Sequence, residues 1–443
     1  MKEVYIDTFG CQMNVADSDR MELLLFQSGY TRTQQKEDAD LILVNTCSIR
    51  ERAEQKIFSL FGNLKPLKKT NPDLILGLTG CLAQQDGERL MKRMPFLDLI
   101  MGPDQIEDIA LAVDRVQTTR ESLVWTQWDE QKNYSIPDLG GSYQKNPSSF
   151  VNIIKGCDKF CSFCVVPFTR GREKSREAEE IYREISESVR RGAKEIVLLG
   201  QNVNAYGKRG LDKPVPFHEL LYKIAEIPGI ERLRFTTSYP RDFTDELIQA
   251  YKDIDILMNH LHLPVQSGND RILEDMRRGH TAREYLGLIA KLKSAVPDIA
   301  LSTDIIVGYP GETDSEFEDT LKLMESASFS SSFMFSYSLR PGTPAADFPD
   351  SVPEPEKQKR LQQTIEHQNR LTEKEGQKYL GKDVQVLIEG PSSKNGRGFK
   401  GRSPHYWRVN FPETCQDMKP GDLVNIEVKE VLGHTLKGIA KNQ

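Results

Sequence analysis

Three times within its first 81 residues this chain runs through a short apolar segment and stops on a cysteine. Val4-Tyr5-Ile6-Asp7-Thr8-Phe9-Gly10 leads into Cys11, Leu41-Ile42-Leu43-Val44-Asn45-Thr46 into Cys47, and Leu74-Ile75-Leu76-Gly77-Leu78-Thr79-Gly80 into Cys81. Short apolar runs of this kind make parallel strands buried on both faces. Helical patterns separate them. Ser18 to Ser28 carries Met21, Leu24 and Leu25 at helical spacing, and Ser48-Ile49-Arg50-Glu51 reads as a capping box opening the next helix. The alternation predicts a parallel, doubly wound sheet. All its strands end on one edge, where ligands bind, so cysteines 36 and 34 residues apart can converge.

After residue 117 the pattern lapses. Residues 118–142 read as a linker, running into a stretch with Pro137, Gly140-Gly141 and Pro147. From Phe150 longer units follow. Strands are expected at Phe150–Lys155, Glu195–Leu199, Arg232–Thr237, His260–Val265, Ala300–Val307 and Ser332–Ser338. Helices are expected at Ala178–Arg191, Phe217–Ile227, Thr244–Tyr251, Ala282–Val296 and Glu316–Ser326. Six such units suggest an open (β/α)6 partial TIM barrel over 143–376, with its site at the strand C-termini. A charged helix from about Glu354 to Tyr379 reads as a solvated face. The last segment, 377–441, alternates instead, as in Val384-Gln385-Val386-Leu387-Ile388, with turns at Asn395-Gly396 and Pro420-Gly421-Asp422. It predicts a small β-barrel of OB-like type. The fold class expected is therefore α/β, in three domains, within the two to three that about 100–200 residues per domain allows.

No apolar run approaches the roughly 18 residues of a membrane span, and the start lacks the charged and apolar regions of a signal peptide. A cytoplasmic protein with no membrane partner is expected. The net charge of −6 does not announce a nucleic-acid binder, but it is unevenly spread. From Gln377 onward 11 Lys and Arg stand against 7 Asp and Glu, a surplus of four that leaves −10 for the rest. In that basic tail Lys394, Arg397, Lys400, Arg402 and Arg408 are interleaved with Phe399, His405, Tyr406 and Trp407, with no acid between. Basic groups neutralise phosphate and aromatics stack on unpaired bases. Lys394, Arg397, Lys400, Arg402, Tyr406, Trp407 and Arg408 are the RNA-binding candidates; the bland alternative is a lysine-rich hairpin.

Seven cysteines, an odd count in a large chain without a signal peptide, argue for metal or redox chemistry over disulfides. Cys157, Cys161 and Cys164 form a C-x3-C-x2-C run after the first barrel strand. Three thiolates hold three irons of a [4Fe–4S] cluster. The fourth iron stays open, able to chelate the amino and carboxylate groups of S-adenosylmethionine, whose reductive cleavage gives a 5′-deoxyadenosyl radical. A structural zinc site wants four ligands, usually in two pairs, and no second pair follows. Cys11, Cys47 and Cys81 make a second set of three. Inert core packing is the alternative for such thiols, but their equivalent placement after three strands favours an auxiliary [4Fe–4S] cluster. Cys415 stands alone as an ordinary thiol. His260 and His262 alternate on a strand and, lacking a third partner, read as core or barrel-lining residues.

At these residues the chain resembles the radical S-adenosylmethionine methylthiotransferases over nearly its whole length. The matching strings are Gly10-Cys11-Gln12-Met13-Asn14, Asn45-Thr46-Cys47-Ser48-Ile49-Arg50-Glu51, Cys164-Val165-Val166-Pro167-Phe168-Thr169-Arg170-Gly171, Leu199-Gly200-Gln201-Asn202-Val203-Asn204, Leu263-Pro264-Val265-Gln266-Ser267-Gly268 and Ile306-Val307-Gly308-Tyr309-Pro310-Gly311-Glu312-Thr313. The resemblance implies a methylthiotransferase N-terminal domain (1–117), a radical core (143–376) and an RNA-binding TRAM domain (377–441). It implies Cys157, Cys161 and Cys164 on the radical cluster, Cys11, Cys47 and Cys81 on the auxiliary one, and Gly200, Gln201 and Asn202 at the edge that holds the cofactor's methionyl amino group. Ser238, Gln266, Arg278 and Asp304, near later strand ends, are further candidates for cofactor or substrate. The stretch Gly401-Arg402-Ser403-Pro404-His405-Tyr406-Trp407-Arg408 departs from expectation for a TRAM loop in being so aromatic.

The activity implied is methylthiolation at C2 of N6-dimethylallyladenosine beside the anticodon (position 37) of tRNA. One S-adenosylmethionine methylates a sulfur held at the auxiliary cluster. Another yields the radical that takes hydrogen from C2, a bond poorly activated for polar chemistry. The base must leave its stack to reach a barrel mouth. The partners implied are a tRNA anticodon stem-loop, a flavodoxin- or ferredoxin-type electron donor and a sulfur source, with a monomer expected. Threonylcarbamoyl-adenosine in tRNA and a ribosomal-protein aspartate are the rival substrates. A non-catalytic RNA-binding electron carrier is the rival class; it would form no 5′-deoxyadenosine.

Overall fold

The computed structural model describes residues 2–47, 53–128, 146–349, 351–392, 398–412 and 418–441. The expected capping box at Ser48–Glu51, and Lys394, Arg397 and Cys415, lie outside them. Backbone contacts divide the chain into two units, Met1–Tyr143 with Lys155–Asp158 and Val165–Arg176, and Gln144–Ile154 with Lys159–Cys164 and Glu177–Gln443.

In the first unit six strands form one sheet: β1 (Lys2–Phe9), β2 (Tyr30–Arg32), β3 (Leu41–Thr46), β4 (Ile75–Gly80), β5 (Leu99–Met101) and β6 (Leu123–Trp125). They lie in the order β2-β1-β3-β4-β5-β6 and every pairing is parallel. The longer helices are α1 (Gln12–Gln27), α2 (Ala53–Leu64), α3 (Cys81–Arg93) and α4 (Ile109–Thr119). Both faces are covered. Leu41 and Leu43 pack with Met21, Leu25 and Ile109, whereas Ile42 and Val44 pack with Phe61, Leu82 and Leu90. Side chains alternate across a strand, so double coverage demands the continuous apolar run seen in the sequence. The sheet extends further than expected: α4 crosses residue 117 and β6 pairs with β5, so the expected linker begins only after Trp125. An apolar segment as short as Leu123-Val124-Trp125 carries too little periodicity to announce itself.

The second unit carries six parallel strands in chain order: β7 (Ser148–Asn152), β8 (Glu195–Leu199), β9 (Arg232–Phe235), β10 (His260–His262), β11 (Ala300–Val307) and β12 (Ser331–Ser336). They form two three-stranded sheets, joined by the bridge Leu233–Leu257 into a partial TIM barrel. Helices α5 (Ala178–Arg190), α6 (Phe217–Ala225), α7 (Asp245–Asp253), α8 (Ala282–Ala295) and α9 (Asp314–Ala327) alternate with the strands. β9 and β10 end sooner than the sequence suggested: Thr237 follows β9 at φ 69°, and Pro264, which has no N–H, interrupts the ladder after β10 before Gln266, at φ 80°, bridges back to Ile305 of β11.

The charged helix, α10 (Glu354–Gln377), is no solvated rod. Lys357, Arg360, Thr364, Gln368 and Thr372 are buried along one stripe. Gln368 Nε2 donates to the Phe329 carbonyl (2.9 Å), Thr372 Oγ1 to that of Ser330 (2.9 Å), and Arg360 pairs with Glu312 (2.9 Å) and Asp314 (2.7 Å). The stripe is polar because it covers backbone carbonyls, which need donors when buried.

The C-terminal strands β13 (Asp383–Pro391), β14 (Phe399–Arg402), β15 (Arg408–Phe411), β16 (Leu423–Leu432) and β17 (Thr435–Ala440) close into a five-stranded barrel. Its core holds Val386, Ile388, Trp407, Val409, Ile426, Val428 and Leu436. Among the described residues no helix is long and apolar enough to cross a membrane.

Candidate cluster and cofactor sites

In the first unit the register fixes one edge: Phe9 lies opposite Thr46, and Thr46 opposite Gly80. Cys11, Cys47 and Cys81 follow these three residues directly or after one more. The outer two of three adjacent strands lie about 10 Å apart, a span suited to a cluster gripped at separate corners. A buried amide network holds the edge together. Asn14 Oδ1 accepts from the Cys11 backbone N–H (3.3 Å) while its Nδ2 donates to Asn45 Oδ1 (3.0 Å) and the Thr46 carbonyl (3.3 Å). Asn45 Nδ2 donates back to the Asn14 carbonyl (2.9 Å) and to Ser18 Oγ (3.0 Å). Asn14 and Asn45 are fully buried. Gly80, at φ 95°, presses against Asn45 and Thr46 where a Cβ would overlap their oxygens, and Cys81 opens α3 directly after it. The N–H groups at such a helix start favour a thiolate.

The same unit holds a residue the sequence reading quoted but gave no role. Arg170 is 6% exposed, donates from Nε to Cys81 Sγ (3.2 Å) and pairs with Asp17 (2.7 Å), itself 2% exposed. Burial pushes the Cys81 thiol up, and the Arg170 charge pulls it back. Burial also works against the charge of Arg170, but Asp17 and the two thiols Cys81 and Cys11 outweigh it and hold Arg170 protonated. The next residue, Gly171, accepts through its carbonyl from the Cys157 N–H (3.1 Å). Gly156, at φ 74°, leaves no room for a Cβ against Arg172 and Gly171.

In the second unit Cys161 is buried and Cys164 half-buried, with the Cys164 N–H donating to the Cys161 carbonyl (3.0 Å). Ser162 between them is fully buried. Its backbone bonds Met276 and Ala345, and its hydroxyl meets Tyr309 (2.7 Å) and the Asp275 carbonyl (2.6 Å). Arg278, 5% exposed, donates from Nη1 to Cys161 Sγ (3.4 Å) and from Nη2 to the Pro264 carbonyl (2.6 Å). Burial opposes its charge, yet Cys161 and Tyr239 hold it protonated.

Of the expected cofactor residues, Gly200, Gln201 and Asn202 follow β8, Ser238 follows β9, Gln266 follows β10, Asp304 lies within β11, and Arg278 reaches Cys161 from beyond β10. Gly200 packs against Ile154 and Val203, and Gln201 follows it, half-buried. Asn202 is buried and donates to Asp242 (2.9 Å), whose carboxyl also pairs with Lys159 and Lys208 (2.6 Å each). Those three partners overcome burial and keep the Asp242 carboxyl below its ordinary range. Gln266 exchanges backbone bonds with Asp304 and Ile306 (2.9 Å each). The Asp304 carboxylate lies 3.5 Å from His262. Ser238 Oγ and Arg278 Nε are buried with no hydrogen-bond partner among the described residues. Strained backbone gathers here too: Phe160, Thr237, Gln266 and Arg277 all have positive φ, costly for Thr237 above all. Buried donors without partners beside strained backbone fit a site that binds a polar ligand. The sequence reading missed Phe333 and Phe335. Asp304 pairs with Phe333 and Ile306 with Phe335, and both rings are exposed, at 60% and 38%. Their alternation with Met334, which packs on the core, was the available signal.

Residues 3–102 match the model of the uncharacterized protein family UPF0004, residues 151–324 that of the Radical SAM superfamily and residues 377–441 that of the TRAM domain. A tRNA-2-methylthio-N(6)-dimethylallyladenosine synthase from Idiomarina loihiensis is 46% identical over 439 residues, 99% of this chain and 91% of the relative. One from Neisseria meningitidis serogroup B is 45% identical over 441 residues, 99% of each. The chain belongs to the tRNA-2-methylthio-N(6)-dimethylallyladenosine synthase family. Among solved structures, the radical S-adenosylmethionine methyltransferase TsrM from Kitasatospora setae shares the fold, with a TM-score of 0.57 at 14% identity over 78% of this chain and 77% of that one. As a member of this family the protein is a transferase of the radical S-adenosylmethionine type.

The C-terminal TRAM barrel corrects part of the RNA-binding expectation. Trp407 is 5% exposed in the barrel core against Tyr379, so its ring has no face for a base. Tyr406 stacks on His260 at 4.8 Å, and His405 bonds Asp298 (3.0 Å). Arg402 lies over the Tyr406 ring and pairs with Glu389 (3.1 Å). Arg232 and Arg234 of β9 donate to the carbonyls of Gln385 and Arg402, and of Ser403 and Pro404. The aromatic loop thus docks the small barrel onto the N-terminal ends of the core strands. Burial needs explain the unusual aromaticity that sequence reasoning assigned to bases. His260 is half-buried in this joint against Tyr406, which fits its reading as a core or barrel-lining residue. Lys400 stays half-buried and Arg408 exposed.

Proposed function

We propose that this protein attaches a methylthio group at C2 of N6-dimethylallyladenosine next to the tRNA anticodon. The observation that carries the reading is the gathering of Cys11, Cys47 and Cys81 on one sheet edge, apart in sequence from the C-x3-C-x2-C run, in a chain matched end to end by synthases of that name. Cys11, Cys47 and Cys81 hold the auxiliary cluster, and Cys157, Cys161 and Cys164 the radical cluster. When bound, the clusters and S-adenosylmethionine supply a carbon-centred radical and the sulfur to be transferred.

The chain's own residues then have defined work. Arg278 faces Cys161 and brings a fixed positive charge to the radical cluster's edge. Ser238, Gln266 and Asp304, with Gly200, Gln201 and Asn202, bind and orient the cofactor. Phe333 and Phe335 offer apolar faces beside Asp304 for a flipped adenine bearing an apolar N6 group, which favours dimethylallyl over the charged threonylcarbamoyl substituent. Lys400, Arg408, Lys394 and Arg397 carry the anticodon stem-loop's phosphates. A flavodoxin- or ferredoxin-type donor reduces the clusters and a separate sulfur source refills the auxiliary one. The protein works as a cytoplasmic monomer.

The test is to give reduced, cluster-loaded enzyme tRNA carrying N6-dimethylallyladenosine, tRNA carrying threonylcarbamoyl-adenosine, and ribosomal protein, and to weigh the products. Only the first is expected to gain a methylthio group, with 5′-deoxyadenosine formed alongside. Modification of either rival instead, or no 5′-deoxyadenosine at all, overturns the proposal. Cys47→Ala is expected to lose about one four-iron cluster's worth of iron and sulfide, since a three-thiolate site should not survive losing a ligand.

A further inference from the structure

Buried arginines are rare unless paired, and Arg170 is buried within one shell of a cysteine that the proposed function gives to iron. Its Nε donates to Cys81 Sγ over 3.2 Å, and its Nη2 lies 2.7 Å from Asp17 Oδ2. Both side chains are at most 5% exposed, so water scarcely screens them. A four-iron cluster on three thiolates is a net anion, more so when reduced or when an anionic sulfur occupies the open iron. Hydrogen bonds to cluster sulfurs, net charge and exposure set its potential. Arg170 supplies the first two at once, and Asp17 sets how much of its charge the cluster feels. Arg20, also near Asp17, is committed to Glu107.

We propose that Arg170 is a positioning residue for the auxiliary cluster: its guanidinium, trimmed by Asp17, stabilises the reduced and sulfur-loaded states, and the adjoining Gly171 carbonyl seats Cys157. This rests on Cys11, Cys47 and Cys81 holding a cluster. The second role follows from the backbone. A residue locked at Cys81 and Asp17 fixes the next carbonyl, which accepts the Cys157 N–H at 3.1 Å. Loss of Arg170 therefore disturbs both cysteine sets, whereas Asp17→Asn removes a charge and keeps a side-chain oxygen facing Arg170.

The experiment uses the full chain with Cys157, Cys161 and Cys164 changed to Ala, reconstituted without oxygen, so that the auxiliary cluster alone gives the spectroscopic signal. Its midpoint potential is read by titration followed by electron paramagnetic resonance. Arg170→Gln is expected to make the potential more negative, Arg170→Lys to restore most of the difference, and Asp17→Asn to make it less negative. A merely structural pair would not move the potential in opposite directions. Equal potentials in all forms, or shifts of one sign in Arg170→Gln and Asp17→Asn, overturn the proposal. Should Arg170→Gln fail to hold iron, Asp17→Asn decides: an unchanged or more negative potential refutes it. A parent protein that binds no cluster would overturn the second metal site itself, and this failure shows in the iron count before any titration.

Discussion

Replacing Arg234 by Met measures how firmly the TRAM domain is fixed to the radical core. Arg234 lies on β9, where Leu233 and Phe235 face the helices, so the arginines at 232 and 234 face the barrel interior. Its Nε pairs with Glu195 at 2.6 Å, with both side chains under 5% exposed, and its two Nη atoms donate to the Ser403 and Pro404 carbonyls at 2.8 Å. Methionine keeps much of the volume and removes all three bonds. Glu195 is left with one neutral donor, Ser148 Oγ at 2.9 Å. Breaking one side of a buried pair costs about 3–5 kcal/mol, and the stranded carbonyls add to it. One effect opposes this. Burial and the Arg234 charge bring Arg232 down to about 10 although Glu195 pulls it up, so losing Arg234 relieves Arg232. That relief is partial, because Arg232 is committed to the Arg402 and Gln385 carbonyls. The expected loss is about 3–4 kcal/mol, with roughly half regained when Glu195→Gln removes the stranded charge. Urea unfolding followed by the fluorescence of buried Trp407 reads it. A single variant within about 1 kcal/mol of the parent, the worth of an exposed pair, or a double variant no better than the single, would refute the reasoning.

Phe333→Ala and Phe335→Ala should each raise the Kd for tRNA carrying N6-dimethylallyladenosine by about 5- to 150-fold, the worth of one stacked base, and leave cofactor binding intact; calorimetry with tRNA and cofactor separately checks this. Arg408→Ala should lower the salt slope of tRNA affinity by about one. Trp407→Ala should instead cost about 3–5 kcal/mol of stability, seen in urea unfolding by circular dichroism. Burial first, and then the Arg278 charge, lower His280 to about 4. Between pH 6.5 and 4 the unfolded chain therefore takes up a proton that the folded one refuses, so stability falls as pH falls through that window. The contribution is up to about 3 kcal/mol. The difference between parent and His280→Gln should shrink by that amount from pH 6.5 to 4; a constant gap would show that His280 is charged in the fold.

Strand C-termini were legible because burial on both faces writes an unbroken apolar run, and the chain must leave the sheet where the run stops. Cys11, Cys47 and Cys81 stand at such stops, so their convergence could be read before any coordinates. The end of β9 was less legible. Thr237 turns through left-handed backbone that no propensity favours, held there by neighbours distant in sequence.

By itself, the sequence determined the three architectures, the two cysteine sets and the family, because periodicity and ligand spacing are local properties. Only the tertiary structure decided what the polar and aromatic residues are for. The stripe on α10, the loop at 401–408 and Arg170 all read as solvent-facing or RNA-facing, or went without a role. Each is buried by a partner 39 to 170 residues away along the chain. A polar side chain carries no local mark of burial, since what permits it is a carbonyl, a carboxylate or a sulfur that folding brings to it.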